Sequence, residues 1–213
     1  MNSCELNDGS ENLEHGLQRL GRVTRTLAAA LGYRDMLTRL HSERVNSLAE
    51  ALGVHCGLPD SEIRALGIAA AFHDVGKIGV PDSILQEPTP FDDQEWERMK
   101  RHSVIGEDLL LATDIEGIAP IAKVVRHHHE WFGGSGYPDG LRGAEIPLAA
   151  RIISVVDAYD AMAVTRPYHR ARDHDEVMKV LDQEAGTKFD PELVSMLGAV
   201  LEHSDLRASQ SGA

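Results

Sequence analysis

Apolar side chains recur at helical spacing along most of the chain. Leu13, Leu17, Leu20, Leu27 and Leu31 mark one helix face. Leu37, His41, Val45, Leu48 and Leu52 mark a second, which should stop at Gly53. Pro59 and Asp60 open a third through Ile63, Leu66 and Ala70 to His73, with Gly76 as its terminator. Asp92 and Glu95 have capping-box spacing ahead of a helix carrying Trp96, Met99, His102, Gly106 and Leu109. The next helix opens near Pro120 and carries Ile121, Val124, Val125, His128 and His129. The stretch FGGSGYPDGLRG then breaks the periodicity with turn formers. Pro147 suits the first turn of a helix bearing Ile152, Ile153, Val156 and Asp157. Asp190-Pro191 opens the last, through Leu193, Val194, Leu197 and Val200. Neither strand alternation nor a repeat or linker stands out. The expectation is an all-α, single-domain helical bundle over residues 12–206, with flexible tails at 1–11 and 207–213.

Composition adds limits to that picture. At 213 residues, 42% apolar and 26% charged, the chain can bury one substantial core. No apolar run approaches the ~20 residues of a membrane span. The acidic, polar start MNSCELNDGSENLE is unlike a signal peptide. Cys4 and Cys56 match no disulfide framework or metal spacing, so a reducing cytoplasm is expected. The net charge of -13 argues against a nucleic-acid polymer or an anionic membrane as partner. One small anionic ligand remains compatible if bound cations reverse the local field.

That condition directs attention to the polar residues on apolar faces. His41, His73, His102, His128 and Asp157 each lie on or beside a buried stripe, 26 to 32 residues apart. One helix plus one connection separates each pair, so antiparallel packing can bring all five to one level of a bundle. Metal sites in bundles are built that way. The bland alternative is five separate hydrogen-bonded core residues, each needing its own buried partner. An aspartate among Ile152, Ile153, Val155 and Val156 is costlier still unless paired or coordinated. The run His127-His128-His129 can be read as a solvated patch. Yet neighbours on a helix differ by about 100°, so two can serve adjacent metals while the third points away. A metal centre is the stronger reading.

These residues sit in segments that resemble the HD-GYP family of HD-domain metal phosphohydrolases. The matching pieces are HSERV at 41, HDVGKIGVPDSIL at 73, MKRHSVIG at 99, HHE at 128, GSGYPDGL at 134, IPLAARI at 146, DAYDAM at 157 and RPYH at 166. The resemblance spans roughly residues 28 to 200. An HD pair alone is weak evidence, whereas HD, GKIG, HHE and GYP in this order and spacing are very specific.

The resemblance implies hydrolysis of the bacterial second messenger cyclic di-GMP to pGpG, GMP or both, by a hydroxide bridging two metals. It implies that His41, His73, Asp74 and Asp157 hold one metal. Asp74 bridges to a second, completed by His102, His128 and His129. Iron or manganese suits such nitrogen-rich mixed ligands best, with nickel, zinc or magnesium as alternatives. Lys77, one turn beyond the HD pair, would act with Asp74 in catalysis by contacting a phosphate oxygen. Arg166 would contact phosphate in bidentate fashion. Asp160 would touch guanine or stand behind a ligand. Tyr137 would stack on a base or staple the glycine loop, and His169 stands where a basic substrate contact is usual. The GYP-loop surface implies diguanylate cyclase (GGDEF-type) domains as partners, and a homodimer is compatible.

Three departures from the family pattern bear on function. Leu37 occupies the position of a glutamate that serves a third metal, so two metals are expected. Gly133 replaces the usual aspartate of the loop without removing a ligand. The segment AMAVTRPYH lacks a polar Thr-Ser pair common before the arginine. Alternatives are an HD phosphohydrolase for another cyclic dinucleotide or nucleotide, and more remotely a di-iron oxygenase. A metal-containing sensing or interaction module with little turnover is another, which the complete ligand set disfavours. No receiver or sensor domain is expected ahead of the helices, so input would come from a partner, oligomerisation or substrate itself.

Overall fold

Two long helices meet within the core. The computed structural model describes residues 36–85, 89–164, 171–202 and 204–208. Helix α1 (Met36–His55) packs against α2 (Asp60–Phe72) and against a later helix, α7 (Leu148–Ala163). Val45, Leu48, Ala49 and Leu52 of α1 are buried with Ile152, Ile153, Val155 and Val156 of α7. The first helix anticipated, through Leu13 to Leu31, lies outside the described residues. Helix α1 runs two residues past Gly53 to His55 before turning at Gly57, whose φ is +74°.

After α2 the chain does not simply end its helix at Gly76. It tightens into a 3₁₀ turn, Val75–Gly79, which presses on a helix from later in the chain, α5 (His102–Leu111). A Cβ at Gly76 would stand 1.8 Å from the carbonyl oxygen of His102 and 2.6 Å from the nitrogen of Gly106. Gly76 therefore permits backbone-to-backbone contact, and this contact brings the HD pair beside His102.

A short α3 (Asp82–Leu85) precedes α4 (Asp93–Lys100), whose Asp92/Glu95 capping box is present in both directions. Trp96 and His102, expected on one helix, belong to two. Arg101 separates α4 from α5 and turns the His102 side inward. Helix α6 (Ile118–His127) follows and packs on α5, with His128 at its C-terminal cap. Pro147 precedes α7 rather than occupying its first turn. Helix α8 (His174–Glu184), not anticipated from periodicity, starts with a second capping box, Asp173/Glu176. Helix α9 (Pro191–Leu201) closes the core with Leu193, Val194, Leu197 and Leu201.

The architecture is all-α, as expected; among the described residues the single β-type contact is an isolated bridge between Ala185 and Phe189. The boundary expected at 206 falls within an anchored stretch: Ala208 N donates to Tyr159 Oη at 2.9 Å, and Arg207 pairs with Asp175. No described helix is long and apolar enough to cross a membrane.

Candidate metal centre

Three buried histidines present the same local device. The Nδ1 of His73 meets the carbonyl of Ala70 at 2.7 Å, that of His102 meets Met99 at 2.7 Å, and that of His128 meets Val125 at 2.6 Å. A carbonyl oxygen only accepts, so each Nδ1 carries the proton and each Nε2 keeps a lone pair. All three Nε2 atoms are buried with no hydrogen-bond partner. A buried, aligned and unpartnered acceptor is costly in a helical core unless something binds it. Metal ligation fits that requirement, with the backbone carbonyl fixing each ring behind its ligating atom.

The fourth histidine is held differently. Nδ1 of His41 lies 2.7 Å from Asp160 Oδ2, and Arg44 grips both oxygens of the same carboxylate, with Nη2 at 2.9 Å. On the other side, His41 Nε2 lies 3.0 Å from Asp157 Oδ1. Burial opposes charging His41, yet the hydrogen bonds to Asp157 and Asp160 raise its pKa to about 9. The carboxylates around it therefore ask for positive charge. A divalent cation would supply it.

The ligand atoms fall into two groups. His41, His73 and Asp74 form one; His102, His128 and His129 form the other, the atoms within each lying within 4.8 Å of one another. Asp157 joins the first group, 3.8 Å from His73 Nε2 as well as close to His41. Asp74 faces both groups: Oδ2 lies 3.5 Å from His73 Nε2 and Oδ1 lies 3.7 Å from His102 Nε2. Burial works against the Asp74 carboxylate, but Lys77, His73 and His102 hold its pKa well below the usual range. Asp157 is likewise held low against burial by its bond to His41. On the second group burial pushes the histidines towards neutrality. His128 falls well below the usual range, His102 is lowered, and His129 drops to about 3. Neutral imidazole is the ligating form.

All seven residues expected as ligands thus converge from α1, the α2 end, α5, the α6 end and α7. Lys77 sits at their edge, its Nζ 2.6 Å from Asp74 Oδ2. Asp160 is buried behind His41 with both oxygens engaged, so of its two anticipated roles the placement suits support of the ligand rather than contact with guanine. Tyr137 packs its ring 4.9 Å from His129, and its backbone nitrogen donates to the His129 carbonyl at 3.2 Å. This placement favours stapling the loop over stacking on a base. Arg166 and His169 lie outside the described residues, and no side chain is described for Leu37.

His127 points away from the centre, its Nε2 2.8 Å from Asp139 Oδ2. Together with Glu130 and Asp139 it forms a third acidic-histidine group. Its carboxylates are already engaged by neighbours, while His127 Nδ1 is buried without a hydrogen-bond partner. Glu130 accepts from the backbone nitrogens of Asp139, Gly140 and Leu141, at 2.7, 3.0 and 3.0 Å. Arg126 binds both oxygens of Asp139 and one of Glu107. These contacts shape the glycine loop around Tyr137. Gly133, the departure in that loop, donates its nitrogen to Thr187 O at 2.8 Å, and a Cβ there would stand 2.9 Å from the same oxygen. The missing side chain lets the loop lie against the turn before α9.

The HD domain profile matches residues 17–193, the greater part of the chain. The chain belongs to the HD-domain family. Membership carries divalent-metal binding with it, and the paired histidine-aspartate groups supply the donors. Among curated proteins, the chain is 39% identical over 194 residues to the cyclic di-GMP phosphodiesterase response regulator RpfG of Xanthomonas campestris, covering 91% of this chain and 50% of that protein. It is 36% identical over 179 residues to 3'3'-cGAMP-specific phosphodiesterase 2 of Vibrio cholerae, covering 84% of this chain and 34% of that protein. The chain therefore spans half or less of the length of these relatives. Among solved structures, Bd1817, an HDG"Y"P protein from Bdellovibrio bacteriovorus, shares the fold with a TM-score of 0.64 at 18% identity, over 92% of this chain and 68% of that one.

Arg44, Glu130 and Asp139 were not singled out from sequence. Arg44 carried a usable signal, one helical turn after His41 on the same helix. For Glu130 and Asp139 the signal was weaker, because acidic residues beside glycine turns are ordinary.

Proposed function

We propose that this chain is a dinuclear metal phosphodiesterase that hydrolyses cyclic di-GMP to pGpG, GMP or both. The observation that carries the reading is Asp74, whose two oxygens face separate histidine groups at 3.5 and 3.7 Å. A carboxylate so placed can be shared between two cations. His41, His73, Asp74 and Asp157 would hold one, and Asp74, His102, His128 and His129 the other. Leucine at position 37 cannot ligate, which supports two ions rather than three. Iron or manganese suits the mixed nitrogen and oxygen donors.

Two such cations when bound neutralise a phosphodiester and activate water for attack on it. The chain's own residues prepare this chemistry. Backbone carbonyls orient His73, His102 and His128, and Asp160 with Arg44 orients His41. Lys77 places an ammonium beside Asp74, where it can meet a phosphate oxygen of the substrate. Burial excludes bulk water from the ligand side and leaves the Lys77 side open, its side chain 35% exposed. The similarity to the cyclic di-GMP phosphodiesterase response regulator of Xanthomonas supports cyclic di-GMP as substrate.

The cGAMP-specific relative, at 36% identity, favours a second reading with a mixed cyclic dinucleotide as substrate. Purification without chelator or histidine tag, elemental analysis, and product chromatography on both dinucleotides test the two together. About two iron or manganese ions per chain and preferential loss of cyclic di-GMP are expected. Faster loss of cGAMP would replace the substrate, and a metal-free protein that still hydrolysed either would overturn the centre.

A further inference from the structure

Trp96 is the one aromatic side chain among the described residues that lies exposed, at 44%. Scattered exposed aliphatics are ordinary, but an exposed indole beside a buried polar centre is not. Phe91 stacks on it, with centroids 6.3 Å apart and planes 21° from parallel. Tyr137 meets it nearly at right angles, at 6.0 Å and 82°. The Tyr137 ring in turn lies 4.9 Å from His129 and 6.5 Å from His102. Trp96 therefore stands two ring contacts out from the second ligand group. Helix α4 holds it there firmly, with the Asp92 capping box at one end and buried Met99 near the other.

Tyr137 is poorly placed to receive a base itself, since His129, Trp96 and Lys100 already surround its ring. Trp96 keeps open surface. Lys100, one turn along α4, places Nζ 5.9 Å from the Tyr137 centroid and pairs with Glu97 at 2.5 Å. A lysine ammonium suits the O6 and N7 acceptors on a guanine edge, whereas adenine offers a donor in place of O6.

We propose that Trp96, backed by Phe91 and set against Tyr137, is the stacking platform for one purine base of the cyclic dinucleotide, with Lys100 at the base edge. The proposal rests on the phosphodiesterase reading, because phosphates held at the histidine groups are what would bring a base to the indole. An aromatic face accepts any base by stacking, so Trp96 provides affinity and Lys100 the preference for guanine.

The test uses the full, metal-loaded chain carrying Trp131→Phe, which leaves Trp96 as the single tryptophan. Titration with a phosphorothioate analogue of cyclic di-GMP should quench its emission, and ribose 5-phosphate should not. In steady-state assays Trp96→Ala should raise KM for cyclic di-GMP by about five- to 150-fold, the range expected for one base stack. Trp96→Phe should restore most of that loss. An unquenched Trp96 together with a KM within twofold of the unaltered chain overturns the platform. Failure of the unaltered chain to turn over cyclic di-GMP overturns the functional reading instead, and the quench still decides the platform.

Discussion

Asp160 lies 2.7 Å from Nδ1 of His41, although 119 positions separate the two residues. One carboxylate on α7 thereby sets the tautomer of a histidine on α1 and leaves its Nε2 facing Asp157. Arg44 holds the same carboxylate in place from one turn further along α1. This pairing does for His41 what backbone carbonyls do for His73, His102 and His128.

Asp160→Asn should therefore weaken metal binding without removing a ligand. The amide cannot neutralise Arg44, and it orients the imidazole less firmly. Loss of such outer support typically lowers metal affinity by about 10- to 100-fold. Competition with a fluorescent chelator reads the change, and a circular dichroism spectrum like that of the unaltered protein separates it from unfolding. Unchanged affinity would mean that Asp160 serves the substrate instead.

Asp74 and His102 should behave unequally. Asp74→Ala removes the residue that faces both groups, so most of the metal and all of the hydrolysis should be lost. His102→Ala should spare the site of His41, His73 and Asp157. Elemental analysis of both variants distinguishes a shared carboxylate from a ligand of one ion. Two retained ions in Asp74→Ala would place the bridge elsewhere.

Metal uptake should release a proton, and His41 is its source. Without a cation, Asp157 and Asp160 keep His41 charged up to a pKa of about 9, while His129 is already neutral above about 3. Ligation through Nε2 requires the neutral ring. Binding near pH 7 should therefore release about one proton from this group, falling towards none above pH 9. Affinity at the first site should correspondingly rise with pH up to that point. Calorimetry in buffers of different ionisation enthalpy measures the release; a value near zero at pH 7 would mean that His41 is neutral before the metal binds or does not ligate it.

Lys77 should matter to turnover and little to metal content. As a cation it cannot ligate, and its loss removes positive charge next to the proposed phosphate position. A charge-assisted contact is worth roughly 1.5–3 kcal/mol, so Lys77→Ala should lower kcat/KM by about ten- to more than a hundredfold. Kinetics on metal-matched protein test this. A change under twofold would leave Lys77 as a partner of Asp74 alone.

Gly76→Ala should disturb the fold and the centre together. The new Cβ would meet the His102 carbonyl at 1.8 Å, which is backbone and cannot swing aside. Overpacking at less severe contacts costs about 1–3 kcal/mol, so a loss at or above the upper end is expected. Thermal unfolding should show a lower Tm, with reduced metal content in the folded fraction. A normal Tm would mean that the turn is not pressed on α5 in solution.

Much of this site was legible because helices write their buried faces into sequence. His41, His73, His102, His128 and Asp157 fall on apolar stripes, where an unpartnered polar group is costly, so their types and spacing already pointed to a shared partner. The break at Arg101 was not legible, since periodicity passes through it undisturbed from Trp96 to Leu109. Helix α8 was within reach, through the Asp173 and Glu176 capping box, but its buried residues, Val177 and Leu181, make only a thin stripe. Glu130 stood in the sequence only as part of the HHE match, and its burial depends on three amides from nine to eleven residues ahead.

By itself the sequence determined the all-helical class and marked His41, His73, His102, His128 and Asp157 on apolar stripes, because periodicity and residue chemistry are local properties; Asp74, His129 and Lys77 entered only through the family resemblance. The resemblance implied how the donors divide, and the tertiary structure supplied the distances that separate the two groups. Whether Asp74 serves one group or two depends on where the Gly76 turn presses against α5, a contact between segments that no local pattern encodes. The same holds for Asp160, whose role follows from Arg44 and His41 meeting it across the core. Packing brings distant backbones within a few ångströms, and at that scale it assigns each charge its partner.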